Sequence, residues 1–138
     1  MFKTVLVPTD FSNEDTNSMD IALKLCSVEG GKIYLLHVIE VIANTTFEEF
    51  EEFYSVLEKR AFEDMAGMIA QLGETVNIVP RVVYGNRAQE ILRFAAENDV
   101  DLIVMQSHRI DVEDRAQGWG TISYKVGILA QCPVMLVK

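Results

Sequence analysis

The sequence predicts an α/β fold, a single open doubly wound five-stranded parallel sheet in the order 3-2-1-4-5 with helices on both faces. Five short apolar, largely β-branched runs alternate with helix-patterned segments along its 138 residues. Several runs are apolar at consecutive rather than alternate positions, the pattern of parallel strands covered on both faces. Short connections between alternating strands and helices imply right-handed crossovers. At 49% hydrophobic and 24% charged residues, the chain fills one core, so one domain over residues 1–138 is expected.

The strand runs fall at residues 4–7, 32–38, 76–83, 101–105 and 134–137. Ser12 with Asp15 three residues on has the form of a capping box and opens the first helix. Its buried stripe is Met19, Ala22, Leu23 and Cys26, and Gly30-Gly31 ends it. The second helix opens at Thr46 with Glu49 as reciprocal cap. It carries Phe50, Tyr54, Leu57, Ala61, Met68 and Leu72 along one face as far as Gly73, a stripe read as core and not as a cofactor contact. The third follows Gly85-Asn86 with Ala88, Ile91, Leu92 and Ala95 inward. The fourth begins near Gly120-Thr121, with Tyr124, Ile128 and Leu129 as expected contacts.

A formal charge of −9 argues against broad nucleic-acid binding, which requires a basic surface. The excess is uneven. Between Thr46 and Glu74, eight acidic residues face only Lys59 and Arg60, a net −6. Such a run reads first as a solvated helix face and second as a docking surface for a basic partner. Cys26 and Cys132 lie in apolar surroundings and no signal-peptide pattern opens the chain, so a reduced, cytoplasmic protein is expected. No apolar run approaches the roughly 20 residues of a membrane span, so no membrane partner is expected.

In the predicted order the winding reverses between the first and fourth strands, and ligands of such sheets sit beyond the strand ends at that reversal. The loops there are residues 8–12 and 106–119. Asp10 could accept hydrogen bonds from a ribose or an adenine amino group, ligate a metal, or cap its own turn. His37 and His108 have no Cys or His partner at metal-ligand spacing, so no metal is expected. Ser107-His108 is not set in a Gly-x-Ser-x-Gly elbow, and no catalytic triad can be assembled.

These segments, taken in order, resemble the universal stress protein family across essentially the whole chain. Val5-Leu-Val-Pro-Thr-Asp-Phe-Ser12 is similar to its first strand and loop and Leu35-Leu-His-Val-Ile39 to its second strand. Val83-Tyr-Gly-Asn-Arg-Ala-Gln-Glu-Ile91 is similar to its Gly-containing approach to the third helix. Asp101-Leu-Ile-Val-Met105, His108 and Cys132-Pro-Val complete the pattern. ATP-binding members carry Gly-x-x-Gly, nine residues, then Gly-Ser or Gly-Thr. Here the first two glycine positions hold Gln106 and Arg109, and ten residues separate Arg109 from Gly120. The adenosine-side set implied by the resemblance is retained: Pro8, Asp10, Val38 and Met105, with Gly120 and Thr121 at the fourth helix.

The resemblance therefore implies a stress-response protein acting by ligand binding and dimerisation, with ATP or AMP at a weakened or altered adenine-nucleotide site. The alternative is a slow ATPase or nucleotide hydrolase using the same crevice, which needs a phosphate cradle that this loop supplies poorly. A phosphoacceptor receiver would need clustered carboxylates at the strand ends, and the third strand exits as Val83-Tyr84-Gly85 without one. The last strand should lie at an open sheet edge and pair two copies into a homodimer.

Overall fold

A computed structural model of the chain describes residues 1–11, 15–42, 44–73, 75–107 and 122–138. The strands are β1 (Thr4–Pro8), β2 (Lys32–Ile39), β3 (Asn77–Tyr84), β4 (Leu102–Gln106) and β5 (Val134–Val137). The helices are α1 (Asp15–Leu25), α2 (Glu51–Ala70), α3 (Arg87–Glu97) and α4 (Ile122–Leu129), with a 3-10 turn at Glu48–Phe50 before α2. All strand pairs are parallel and the order is β3-β2-β1-β4-β5, as expected from the alternation of elements.

Strand alternation divides the core between the two faces of the sheet. On one face Val5, Val7, Ile33, Leu35 and Val104 meet Met19, Ala22 and Cys26 of the first helical segment and Ala61 and Met65 of α2. On the other, Leu6, Leu36, Val38, Ile103 and Met105 meet Ala88, Ile91 and Ala95 of α3 and Val126 of α4. Val5, Leu6 and Val7 are completely buried. Burying a side chain of this size contributes roughly 1.5 to 3 kcal/mol, so β1 is the apolar centre of both layers. The Asp101 carboxylate fixes its start, accepting the Lys3 and Thr4 N–H groups at 3.0 and 3.1 Å.

Local signals hold at two helix ends. Asn86 caps α3, its side chain accepting the Gln89 N–H at 3.1 Å. After α1, Gly30 adopts φ +74°, and a Cβ on Gly31 would overlap the Ser27 carbonyl oxygen. The Ser12 cap lies outside the described residues.

Two expectations are corrected. Thr46 and Glu49 do not form a reciprocal cap; Phe47 caps the 3-10 turn with helical φ and ψ and no side-chain bond. The Phe47 ring stacks on Tyr54 at 5.5 Å, and this aromatic contact, not a hydroxyl cap, sets the start of the helical segment. The extra turn leaves Phe50 37% exposed, while Met65, absent from the expected stripe, is fully buried with Tyr54 and Ala61. In α4 the expected inward residues Tyr124, Ile128 and Leu129 are exposed, and Ser123 and Val126 are buried instead. The Ser123 hydroxyl lies 3.2 Å from that of Ser107, and Val126, three residues on, shares that face of the helix and is completely buried against the sheet.

Among the described residues no helix is long and apolar enough to cross a membrane. The Tyr84 hydroxyl donates to Glu58 at 2.7 Å and ties β3 to α2. Burial, with the hydrogen bond and charge of Glu58, pushes its phenol from 10 up to about 12. The neutral phenol is thus favoured by folding, and its contribution is present below pH 10 and lost as pH rises through about 12. Tyr84→Phe is expected to remove a late phase from the alkaline absorbance titration and to lower stability by about 1 kcal/mol. An unchanged titration would contradict this assignment.

Both cysteines are free. Cys26 is buried, its thiol facing the Lys32 and Ser27 carbonyl oxygens at 3.7 and 3.8 Å, and Cys132 is half-buried. Burial pushes both thiols up, and the charge of Asp101 acts in the same direction. Thiol titration of the native protein at neutral pH should be slow, with Cys132 reacting before Cys26. Fast stoichiometric labelling of both would show that neither is held as the fold implies.

Candidate functional site

The carboxyl ends of β1 and β4 lie side by side where the winding reverses. At the β1 exit, one residue organises the turn: the Thr9 N–H donates to the Leu36 carbonyl at 2.8 Å, continuing the ladder past Pro8. The Thr9 hydroxyl oxygen accepts the Phe11 N–H at 3.0 Å, and its carbonyl accepts His37 Nδ1 at 2.9 Å. A carbonyl only accepts, so Nδ1 carries the hydrogen, and in the neutral ring Nε2 keeps a lone pair. Phe11 has φ +66°, a left-handed conformation that costs a bulky L-residue about 1 to 2 kcal/mol. Its ring packs on His37 with centroids 4.4 Å apart, which holds the strained turn in place. The consequence is positional: Thr9 is buried and Asp10, next to it, projects at the surface.

At the β4 exit, Met105 is buried in the same apolar cluster as Val38. Pro8 ends β1 in register with Leu36, two residues before Val38 on β2. The fold thus brings Pro8, Val38 and Met105 to the ends of adjacent strands, with Asp10 beyond them. Gly120 and Thr121, and with them His108 and Arg109, lie outside the described residues. Gln106 is described: its side-chain oxygen is buried and has no hydrogen-bond partner among the described residues.

Beside the crevice, between the end of β2 and α2, is a pocket of about 250 Å³. Phe11, His37, Val38, Leu57 and Ala61 line it, and Glu40, Arg60, Asp64 and Arg87 bring two positive and two negative charges to it. Arg87 Nε lies 3.8 Å from Glu40. A site of this kind suits a flat, partly apolar molecule with a few polar groups rather than a cluster of phosphates. No three His, Cys, Asp or Glu side chains among the described residues converge as a metal site.

The sequence reading missed Thr9, Phe11 and the pocket arginines Arg60 and Arg87. Thr9 had a usable signal, a hydroxyl two residues before the turn residue it holds. Arg60 had none, because the charge run made it one more solvated residue. Nothing in the sequence spacing indicates that Arg60 and Arg87, on different helices, line one pocket.

Compared with known proteins, the whole chain, residues 1–138, matches the universal stress protein family. It is 30% identical over 143 residues to the universal stress protein in the QAH/OAS sulfhydrylase 3′ region of Thermus aquaticus, covering all of both chains. It superposes on the solved structure of hypothetical protein MJ0577 with TM-score 0.83 at 27% identity, covering 100% of this chain and 96% of the other; MJ0577 is a universal stress protein of Methanocaldococcus jannaschii. A universal stress protein family structure from Arabidopsis thaliana, solved with AMP bound, shares the fold with TM-score 0.70 at 20% identity, covering 99% of this chain and 91% of the other. With a full-length family match, the same strand order and the β1 turn in place, this chain belongs to the universal stress protein family.

Proposed function

We propose that this chain is a cytoplasmic stress-response protein that binds an adenine nucleotide mainly through its nucleoside, in the crevice between the β1 and β4 exits, and works as a homodimer. One observation carries the ligand reading: the strained Thr9-Asp10-Phe11 turn sets Asp10 beyond β1, beside the strand ends that hold Pro8, Val38 and Met105. An exposed carboxylate there can accept from a ribose hydroxyl or an adenine amino group, while Pro8, Val38 and Met105 supply apolar contact. Gly120 and Thr121 belong to the same reading, as helix N-terminal donors. The AMP held by the Arabidopsis protein is the class of ligand it takes.

The phosphate side differs. Gln106 stands where close backbone approach to a phosphate calls for glycine, and its buried side-chain oxygen, an acceptor, can offer a phosphate no donor. The adenosine side fits the ligand and the phosphate side fits it poorly. Two free thiols support a reducing compartment. Dimerisation is supported by β5 at the sheet edge, where Met135 on the strand and Ile128 and Leu129 on α4 are 39%, 61% and 62% exposed.

Calorimetry on ligand-stripped protein tests the nucleotide reading. AMP or adenosine should bind about as well as ATP, and Asp10→Ala should weaken each by roughly 1 to 3 kcal/mol. Glycine at both Gln106 and Arg109 should strengthen ATP selectively. Wild-type binding of ATP far tighter than AMP would defeat a degraded phosphate cradle, and no binding of any of the three would defeat the ligand reading. For the dimer, Met135→Lys should raise the monomer fraction in sedimentation. A wild-type chain that is monomeric at high micromolar concentration overturns it.

A further inference from the structure

The segment between β2 and the middle of α2 exposes apolar surface in a way that its own core does not require. Val41, Ile42, Phe47, Phe50, Phe53 and Val56 are each between 37% and 58% exposed. They are not a loose collection. Tyr54, fully buried, gathers several of them: Phe47 stacks on it at 5.5 Å, Phe53 tilts against it at 5.6 Å, and its hydroxyl accepts the Ile42 N–H at 2.8 Å. Phe47 also meets Tyr84 edge-on at 5.3 Å. Rings held this way are ordered before any partner arrives, which lowers the cost of binding.

The charge around them has one sign. Glu48, Glu49, Glu51 and Glu52 are exposed, and no Lys or Arg occurs from Val41 to Glu58. Among the described residues none of these four carboxylates is in an ion pair; the pairs present are Arg87 with Glu40 and Arg93 with Glu90. Glu58, the next acid along, is already engaged by Tyr84.

We propose that this face is a docking surface for a basic amphipathic helix of a protein partner. The partner's apolar side chains lie on Phe47, Phe50 and Phe53, and its Lys or Arg side chains meet Glu48, Glu49, Glu51 and Glu52. Charge selects this occupant. An anionic lipid surface or a nucleic acid is repelled by four unpaired carboxylates. A two-fold contact between copies would set the same glutamates against each other. The surface belongs to the β3 side of the sheet, opposite the β5 edge, so docking and pairing through β5 are compatible.

The test uses the full-length protein and a fluorescent synthetic helix with leucines on one face flanked by lysines. Controls are the same helix with glutamate for lysine and a sequence-shuffled version without amphipathic order. Phe50→Ser with Phe53→Ser should weaken binding about tenfold with the helical circular dichroism intact, as expected for loss of apolar anchors. Glutamine at Glu48, Glu49, Glu51 and Glu52 should remove most of the salt dependence and slow association. Equal binding of the glutamate or shuffled helix, or unchanged binding by both variants, overturns the proposal. So does wild-type self-association abolished by the two serines, which would assign the surface to a second copy.

Discussion

Everything in this molecule is arranged around a strand that can touch water on neither face. Val5, Leu6 and Val7 are completely buried, and their side chains alternate between the two layers of core. A strand of this kind needs helices on both sides, and right-handed crossovers can supply both only if the chain winds one way from β1 and then the other. The chain does so: α1 and α2 cover one face on the way to β2 and β3, and α3 and α4 cover the other on the way to β4 and β5. The crevice is the geometric by-product of that reversal, and the site inherits its position from the core.

The β1 exit shows how this scaffold holds a costly local conformation. A phenylalanine at φ +66° would relax if its surroundings allowed it. Three hydrogen bonds at Thr9 and the Phe11 contact with His37 over-determine the turn, and three of the four interactions reach back to β2. Asp10 is thereby fixed by the same strand that carries Val38. The positioning of the carboxylate and the integrity of the sheet end are one structural problem, and strain in the backbone is offset by contacts to a rigid neighbour.

What could be read from the sequence follows the range of the interaction responsible. The strands were legible because consecutive burial is written into consecutive residues, and all five runs agree with the structure to within one residue or so at their ends. Asn86 was legible as the start of α3 because a cap acts over three residues. The start of α2 was not, since Phe47 packs on Tyr54 and Tyr84, the latter on β3 and far along the chain. The inward face of α4 was misread for the same reason: apolar size favoured Ile128 and Leu129, but the inward side is taken by Val126 and by Ser123, whose hydroxyl meets that of Ser107, 16 residues earlier in the chain. At the site, Asp10 stood out by its place at a strand end and Pro8, Val38 and Met105 came with the family resemblance, whereas the pocket lined by α2 side chains and Arg87 appears only once the helices are packed.

The acidic start of α2 illustrates why composition alone leaves its role undecided. Glu51 and Glu52 occupy the first turn, where the helix dipole favours negative charge by about 0.3 to 1 kcal/mol each, so helix stability accounts for two carboxylates without any partner. Four acids within five residues also repel one another, which takes back part of that gain. Neither effect explains why phenylalanines stand among them in water. A helix selected only for solubility would place polar residues at positions 50 and 53, since burying Tyr54, Ala61 and Met65 already satisfies its core face. The aromatic exposure and the acidic excess therefore have separate physical origins. Their coincidence on one surface, held by a fully buried tyrosine, is better accounted for by recognition of a partner than by folding.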